Sequence, residues 1–242
     1  KYSKLSALYS DYEKYEEQCN RMYRNFRRDF NSVFSVKNPD APILYIVMTS
    51  NKGMCGSFNT ELISFFENIF RKQETEPVIL CCGKKGKDYL DSKKIPYSKS
   101  YIFSDIPSYQ DACGLFDDIR ELMKSGKISS VKIVYSQYQN MMKDLFTPDK
   151  ESAECEEPLF VPDKQTVISQ TAEKILISIL YKKILETALG AQAATLTTMR
   201  SAYDTACEYS AQLETEINRK RQSQVTADVL EVSADYSKEG EV

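Results

Sequence analysis

The sequence predicts an α/β fold: a long antiparallel two-helix coiled coil built from the chain termini, plus a Rossmann-like, mostly parallel α/β domain between them. Three observations carry this expectation. The last third, about Thr166 to Tyr236, holds no proline and one glycine, Gly190. The first 33 residues carry an unbroken apolar stripe, and between the two ends strand-like and helix-like stretches alternate. The expected boundaries are an N-terminal coiled-coil helix at 1–37, the α/β domain at 42–163, a C-terminal coiled-coil helix at 166–236 and a tail at 237–242.

The C-terminal stretch is long enough for one helix. About 70 residues at 1.5 Å each reach roughly 100 Å, more than a compact domain of this size spans, so most of such a helix is expected to project as a rod. Leu196, Met199, Tyr203, Ala206, Ser210, Leu213 and Ile217 step by three and four, the spacing of a coiled-coil seam. Ala191, Ala193, Ala194, Ala202 and Ala211 crowd the same turns. Small side chains bury little apolar area themselves but let a partner come close, which suits a helix held by something around it.

At the start of the chain, Leu5, Leu8, Tyr12, Tyr15, Cys19, Met22 and Phe26 also step by three and four, and Phe30 and Val33 continue the stripe. Glu13, Lys14, Glu16, Glu17, Arg27 and Arg28 lie between. An ordinary amphipathic helix on a domain surface has the same pattern. Two ends with matching stripes point instead to a coiled coil, which needs two strands. Asn38-Pro39 ends the first helix, and Pro158 and Pro162 precede the second. Counting outward from that junction, antiparallel pairing sets Lys1 beside a residue near 200. The apolar positions from Tyr203 through Leu213, Ile217, Val225, Val229 and Val232 then have no partner in the chain. The expectation is that roughly 25–35 residues of the first helix precede Lys1, or that other subunits wrap the tip.

In the middle, Ile43 to Thr49 reads as a strand buried on both faces, followed by a helix at about Asn59 to Lys72. Pro77 to Cys82 is a second strand, with a short helix near Gly86 to Ser92. Ser100 to Phe103 is a third, weaker strand. Asp111 to Ser125 is an amphipathic helix with Leu115, Ile119 and Leu122 on one face, and Val131 to Ser136 is another strand. The acidic, irregular segment 137–162 is expected to add an edge strand around Leu145 or Leu159. Such alternation implies right-handed crossovers.

Composition limits the chemistry. The chain has 242 residues, 28% of them charged, with a net charge of −3, so there is no overall basic excess for nucleic acid. No run approaches the ~20 apolar residues of a membrane span, and the chain is expected to be soluble. Seven cysteines include no C-x-x-C pair, and histidine is absent. Zinc and redox motifs and His-based triads are thereby without support, and reduced thiols are expected. No metal site, cofactor or catalytic residue is predicted.

The loop Thr49 to Ser57 joins the first strand to its helix, where an open α/β sheet binds phosphate. Its G-x-x-G pattern is neither G-x-G-x-x-G nor a P-loop. Two readings stand. One is a nucleotide site at free N–H groups with Lys52 nearby. The other, which we favour, is a structural turn in which Gly53, Cys55, Gly56 and Asn59 let the helix close on the sheet. Lys84, Lys85, Lys87, Lys93 and Lys94 form a basic cluster, read as a solvated face or a surface for an acidic partner. Arg219, Lys220 and Arg221, followed by Gln222, spread around the helix because consecutive residues lie about 100° apart. They suit contacts to partner carboxylates or carbonyls on several sides, and equally simple solubilisation.

These motifs resemble a known family. Ser50-Asn-Lys-Gly-Met-Cys-Gly56, with Asn59 and Leu62, is similar to the S-D-R-G-L-C-G-x-x-N-x-x-L of the gamma subunit of F-type ATP synthase, with Asn51, Lys52 and Met54 as departures. Glu186, Gln192, Ala193, Ala194, Met199, Arg200, Ala202, Asp204 and Ala206 match that family's E-x-x-x-x-x-Q-A-A-x-x-x-x-M-[KR]-x-A-x-D-x-A without gaps. Asn218, Arg221, Gln222 and Thr226 match its N-x-x-R-Q-x-x-I-T, with Val225 for isoleucine. Thr195 stands where the family usually has arginine, and the family's N-terminal K-A-M and V-A-A motif has no counterpart. The match is tight at 44–62 and 186–232 and loose from 60 to 185.

The resemblance implies a non-catalytic central stalk of a rotary motor, coupling ion-driven rotation to conformational change at catalytic sites on the beta subunits. It implies alpha and beta subunits around the coiled coil, and an epsilon-type subunit and the membrane c-ring at its foot. Nucleic acid is no partner, and the membrane is reached only through the complex. Arg221 and Gln222 match residues that bond a beta-subunit loop, with Arg219 and Lys220 beside them. The cysteine-bearing insertion of chloroplast versions is absent, which points to the cytoplasmic face of a bacterial inner membrane.

Overall fold

The computed structural model describes residues 1–25, 38–73, 75–136, 142–144 and 164–239. In chain order the elements are α1 (Tyr2–Asn25), β1 (Ile43–Met48), α2 (Phe58–Phe70), β2 (Val78–Cys82), α3 (Lys84–Lys93), β3 (Lys99–Tyr101), α4 (Tyr109–Lys124), β4 (Ser130–Val134), β5 (Met142–Asp144) and α5 (Lys164–Glu239). Two compact units divide the chain, Lys1–Leu196 and Thr197–Val242.

In the first unit the strands form one sheet in the order β3-β2-β1-β4-β5. The first four are parallel: Leu44 lies opposite Val78 and Val131, and Leu80 opposite Lys99. Strand β5 runs antiparallel on β4, with Lys132 opposite Asp144. It supplies the expected edge strand, although Leu145 and Leu159, the positions singled out in the sequence, lie outside the described residues. Alternate residues of β1 point to opposite faces, so the continuous apolar run feeds two cores. Leu44, Ile46 and Met48 join Leu80, Cys82, Val131, Ile133 and Tyr135 beneath α4 and α5. Tyr45 and Val47 join Ile79, Cys81 and Val134 beneath Leu62 and Phe66 of α2 and Leu90 of α3.

Element boundaries follow local chemistry. Helix α4 starts two residues before the expected Asp111 because Ser108 and Asp111 form a reciprocal capping box, each side chain accepting the other's backbone N–H. Helix α3 ends at Lys94, which adopts the left-handed conformation.

Helices α1 and α5 pack antiparallel. The Tyr12 and Tyr181 rings meet edge to face at 4.7 Å, and the Lys182 ammonium lies 5.6 Å from the centre of the Tyr9 ring. Stepping back along α1 from these pairs brings Lys1 level with about Gly190, two to three turns short of the expected position near 200. At that end of α1 the Lys1 ammonium bonds the Asp105 carboxylate at 2.5 Å. Of the α1 stripe, Leu5 and Cys19 are buried, Leu8 and Tyr12 half-buried, and Tyr15 exposed on one flank. The side chains of Met22, Phe26, Phe30 and Val33 lie outside the described residues.

Within the first unit most of α5 is covered, with Gln170 and Lys174 exposed. Ala172, Ile175, Leu176, Ile179, Leu180, Tyr181, Ile184 and Leu185 are buried with Ser178, Lys183 and Thr187 among them. From Leu196 to Glu231 every residue is exposed except Thr198, which is half-buried. The exposed stretch therefore opens seven residues before Tyr203, where the sequence placed it.

Candidate functional site

The turn after β1 is a closed hydrogen-bonded unit. The Asn59 side chain accepts from the Ser50 N–H at 3.0 Å and donates to Ser50 Oγ at 2.8 Å and Cys55 Sγ at 3.0 Å. Asn51 donates to the Phe103 carbonyl at 2.6 Å and accepts from the Lys84 N–H at 3.1 Å. Thr49 Oγ1 donates to the Cys82 carbonyl and accepts from the Gly86 N–H at 2.8 Å, while the Lys85 N–H donates to the Ser50 carbonyl. The N–H groups of Lys84, Lys85 and Gly86 at the start of α3 are thus engaged by protein acceptors, and at the start of α2 the Phe58 N–H donates to the Cys55 carbonyl at 3.2 Å.

Of the predicted turn residues, Cys55, Gly56 and Asn59 are brought together, and Gly53 has a different role from the one expected. The left-handed positions are Met54 (φ 61°) and Gly56 (φ 55°), and the backbone at Gly53 needs no such freedom. A methyl group at Gly53 would reach only the tip of the Lys85 side chain, at 3.8 Å. The glycine the turn requires lies elsewhere. Gly83 has φ 106°, and a Cβ there would sit 2.2 Å from the Thr49 carbonyl oxygen.

Asp105 ties three segments together. It accepts from Lys1 at 2.5 Å and Lys52 at 2.7 Å, and these hydrogen bonds, Lys1 first, hold its carboxyl down at about 2. On its other side the turn docks against α5, where Cys55 and Phe58 pack with Ala191 and half-buried Ala194. A Cβ at Gly190 would lie 3.1 Å from the Phe58 ring, so the small Gly190, Ala191 and Ala194 are what lets the turn close on the helix.

A buried polar cluster lies further back on α5. Lys183, 4% exposed, donates to Tyr135 Oη at 3.0 Å and to Glu186 Oε2 at 2.8 Å. Its ammonium also lies 4.3 Å from the centre of the Tyr135 ring. Sequence reasoning noted Glu186 for its motif and passed over Lys183. The available signal was a lysine inside the apolar run Ile175–Leu185, three residues before an acid.

The remaining predicted site residues, Arg219, Lys220, Arg221 and Gln222, lie in the second unit and are all exposed. The helix spreads Arg219, Lys220 and Arg221 around its circumference and brings Gln222 back beside Arg219, three residues earlier. The Gln222 carbonyl accepts from Thr226 Oγ1 at 2.8 Å. Around them Leu213, Ile217, Val225 and Val229 are all more than half exposed. Among the described residues no group of three His, Cys, Asp or Glu could hold a metal ion, and no helix is long and apolar enough to cross a membrane.

A family model described as ATP synthase matches residues 1–236. An ATP synthase gamma chain of Flavobacterium johnsoniae is 24% identical over 241 residues, covering 94% of this chain and 84% of that one. Another, of Rubrobacter xylanophilus, is 28% identical over 202 residues, covering 77% and 70%. Among solved structures, a chain of the Euglena gracilis mitochondrial ATP synthase (OSCP/F1/c-ring, rotational state 3) matches with a TM-score of 0.61 at 13% identity, covering 98% and 93%. A chain of the Tetrahymena thermophila central stalk and c-ring matches with a TM-score of 0.54 at 18% identity, covering 84% and 99%. At such identities these two likenesses speak for the fold.

Proposed function

We infer, from the premise that this chain belongs to the ATP synthase family and is a gamma-type, central-stalk rotor subunit, how its two units divide the work. The exposed stretch of α5 from Leu196 onward is the part held by alpha and beta subunits. The α/β domain and the base of the helix pair meet an epsilon-type subunit and the c-ring. The carrying observation is the second unit itself: more than thirty consecutive helical residues expose an apolar stripe of Leu213, Ile217, Val225 and Val229 to solvent. A stripe of that length left uncovered calls for a partner surface.

The chain's share in the reaction is mechanical. An asymmetric shaft turned inside a ring of subunits presents a different side chain to each in turn, and each beta site responds to the face it meets. Arg221 and Gln222 supply hydrogen bonds to a beta-subunit loop, with Arg219 and Lys220 beside them, and the bond is remade at each subunit as the helix turns. The small Ala206 and Ser210 of the seam support the same reading, since deep apolar docking at one angle would trap rotation. ATP chemistry belongs to the beta subunits, and this chain contributes no catalytic residue. The complex that holds it is membrane-associated, with this chain peripheral, on the cytoplasmic face of a bacterial inner membrane.

Co-expression with alpha and beta subunits tests the reading. The expected outcome is co-purification of the three chains and ATP turnover that drives ion movement when the membrane sector is added. Arg221→Ala with Gln222→Ala should lower coupled turnover while the α/β domain keeps its unfolding midpoint. Unchanged turnover removes these two residues from the mechanism, and failure to co-purify removes the rotor assignment of the second unit.

A further inference from the structure

Almost every position of α5 from Ala172 to Leu185 is buried or half-buried, mostly among aliphatic side chains. Such packing holds a helix in its place but distinguishes weakly between settings. The hydrophobic effect is non-directional, so direction comes from polar contacts, here Tyr181 Oη to the Pro107 carbonyl at 3.2 Å and Arg120 of α4 to Glu173 at 3.1 Å, one between neutral groups and the other part-exposed. A buried charge behaves differently, because it is tolerated only where its partners stand.

Lys183 is that charge. Its ammonium has one acceptor on its own helix, Glu186 Oε2 at 2.8 Å, which neutralises it in every setting of the helix. Its other contacts, Tyr135 Oη at 3.0 Å and the Tyr135 ring face, belong to the residue that follows β4. A one-residue slip turns the helix by about 100° and carries the ammonium away from Tyr135 into aliphatic surroundings. Thr187, one turn on, bonds the Lys183 carbonyl at 2.8 Å and rests 3.9 Å from Met48 Sδ of β1, so the polar side of α5 faces the ends of β1 and β4 together.

We propose that Lys183 is an axial pin: by bonding Tyr135 it fixes the rotational and axial setting of α5 against the sheet, so that torque received by the α/β domain passes into the helix without slippage. The consequence for torque rests on the rotor reading above, while the pin itself is a property of the first unit alone. Its effect is read as setting when the ion pair is removed whole, since replacing both members of a buried pair by uncharged side chains of similar volume often leaves stability unchanged or raised, whereas removing Lys183 alone strands the Glu186 carboxylate.

The test uses the full chain with spin labels on non-natural amino acids at Glu121 of α4 and Gln170 of α5, both exposed. The native chain should give a single label-to-label distance. Lys183→Met, made together with Glu186→Gln so that no carboxylate is stranded, should remain folded and gain a second population, displaced by roughly 10 Å and at least about tenfold above its native level, as expected when the helix occupies a setting turned by about 100°. A single unchanged distance in the folded double variant overturns the pin. If the double variant does not fold, Tyr135→Phe, which keeps the ring and removes the hydroxyl, is read the same way with a smaller second population expected.

The same variant in the reconstituted complex should move about half as many ions per ATP, or fewer, at unchanged assembly. A second distance with unchanged coupling overturns the role in torque and leaves the pin. Lack of coupling in the native complex removes the rotor reading, and the distance measurement still decides the pin.

Discussion

The two stretches of α5 on either side of residues 191–196 obey the same helical geometry and live in different solvents. From Ala172 to Ala191 the helix is closed in by the sheet, α1 and α4, with Leu180 and Leu185 fully buried. From Leu196 to Glu231 it carries apolar residues at three-and-four spacing and leaves them wet, with Leu213 and Ile217 51% and 64% exposed. Helix propensity does not distinguish them, and neither half contains proline. What differs is the source of the cover: the chain provides it in the first case and leaves it to partners in the second.

The sharpest way to break this contrast is a matched pair of truncations. Leu180→Ala should lower stability by about 2–5 kcal/mol, read from urea unfolding, because a fully buried side chain leaves a cavity behind. Next comes Thr49→Val, which keeps the shape but removes the acceptor of the Gly86 N–H and the donor to the Cys82 carbonyl. A buried N–H without a partner should cost about 1–3 kcal/mol. A neutral result would mean that the turn is not a fixed part of the closed unit.

Acid titration gives a smaller, pH-dependent effect. Asp105 falls from a usual 3.8 to about 2 through its bonds to Lys1 and Lys52. A depressed carboxylate stabilises the fold fully above its unfolded value, and that contribution is lost as pH falls from about 4 to about 2. Asp105→Asn should flatten the unfolding midpoint across this window. Added salt should shrink the native slope, since both ammonium groups are more than half exposed. At the bottom of the scale, Leu213→Ala should shift the midpoint of the isolated chain by no more than about 0.5 kcal/mol. A loss there equal to that of Leu180→Ala would show a distal half already covered, and the contrast would fall.

Much of the architecture was legible because the strongest signals were periodic. The apolar run at Ile43–Met48, the alternation of strands and helices and the stripes at both ends gave the sheet and the helix pair their places. Boundaries were less legible where a side-chain cap decided them, as Ser108 does for α4. The register of α1 against α5 was less legible, because counting from the junction carries no information on the contacts between the helices, such as Tyr12 with Tyr181. At the turn, Cys55, Gly56 and Asn59 were readable from their spacing. The need for glycine at Gly83 was not, since it arises from Thr49, a residue on a different strand end. Lys183 escaped for a similar reason: a pattern that marks apolar positions gives a buried lysine no weight, and its partner Tyr135 is distant in sequence.

The thiols are distributed unevenly between the two units. Burial pushes the Cys81 thiol up to about 12 and holds Cys82 and Cys113 above the ordinary range, while Cys19 and Cys55 are shut inside. Cys207 alone among the described cysteines is exposed, and it sits on the distal half of α5. With Cys155, outside the described residues, replaced by serine, a maleimide dye will attach there first, since such reagents need an accessible thiolate. The isolated chain thus carries a native thiol handle on the stretch assigned to alpha and beta subunits, and loss of its labelling on assembly would report that the stretch is covered.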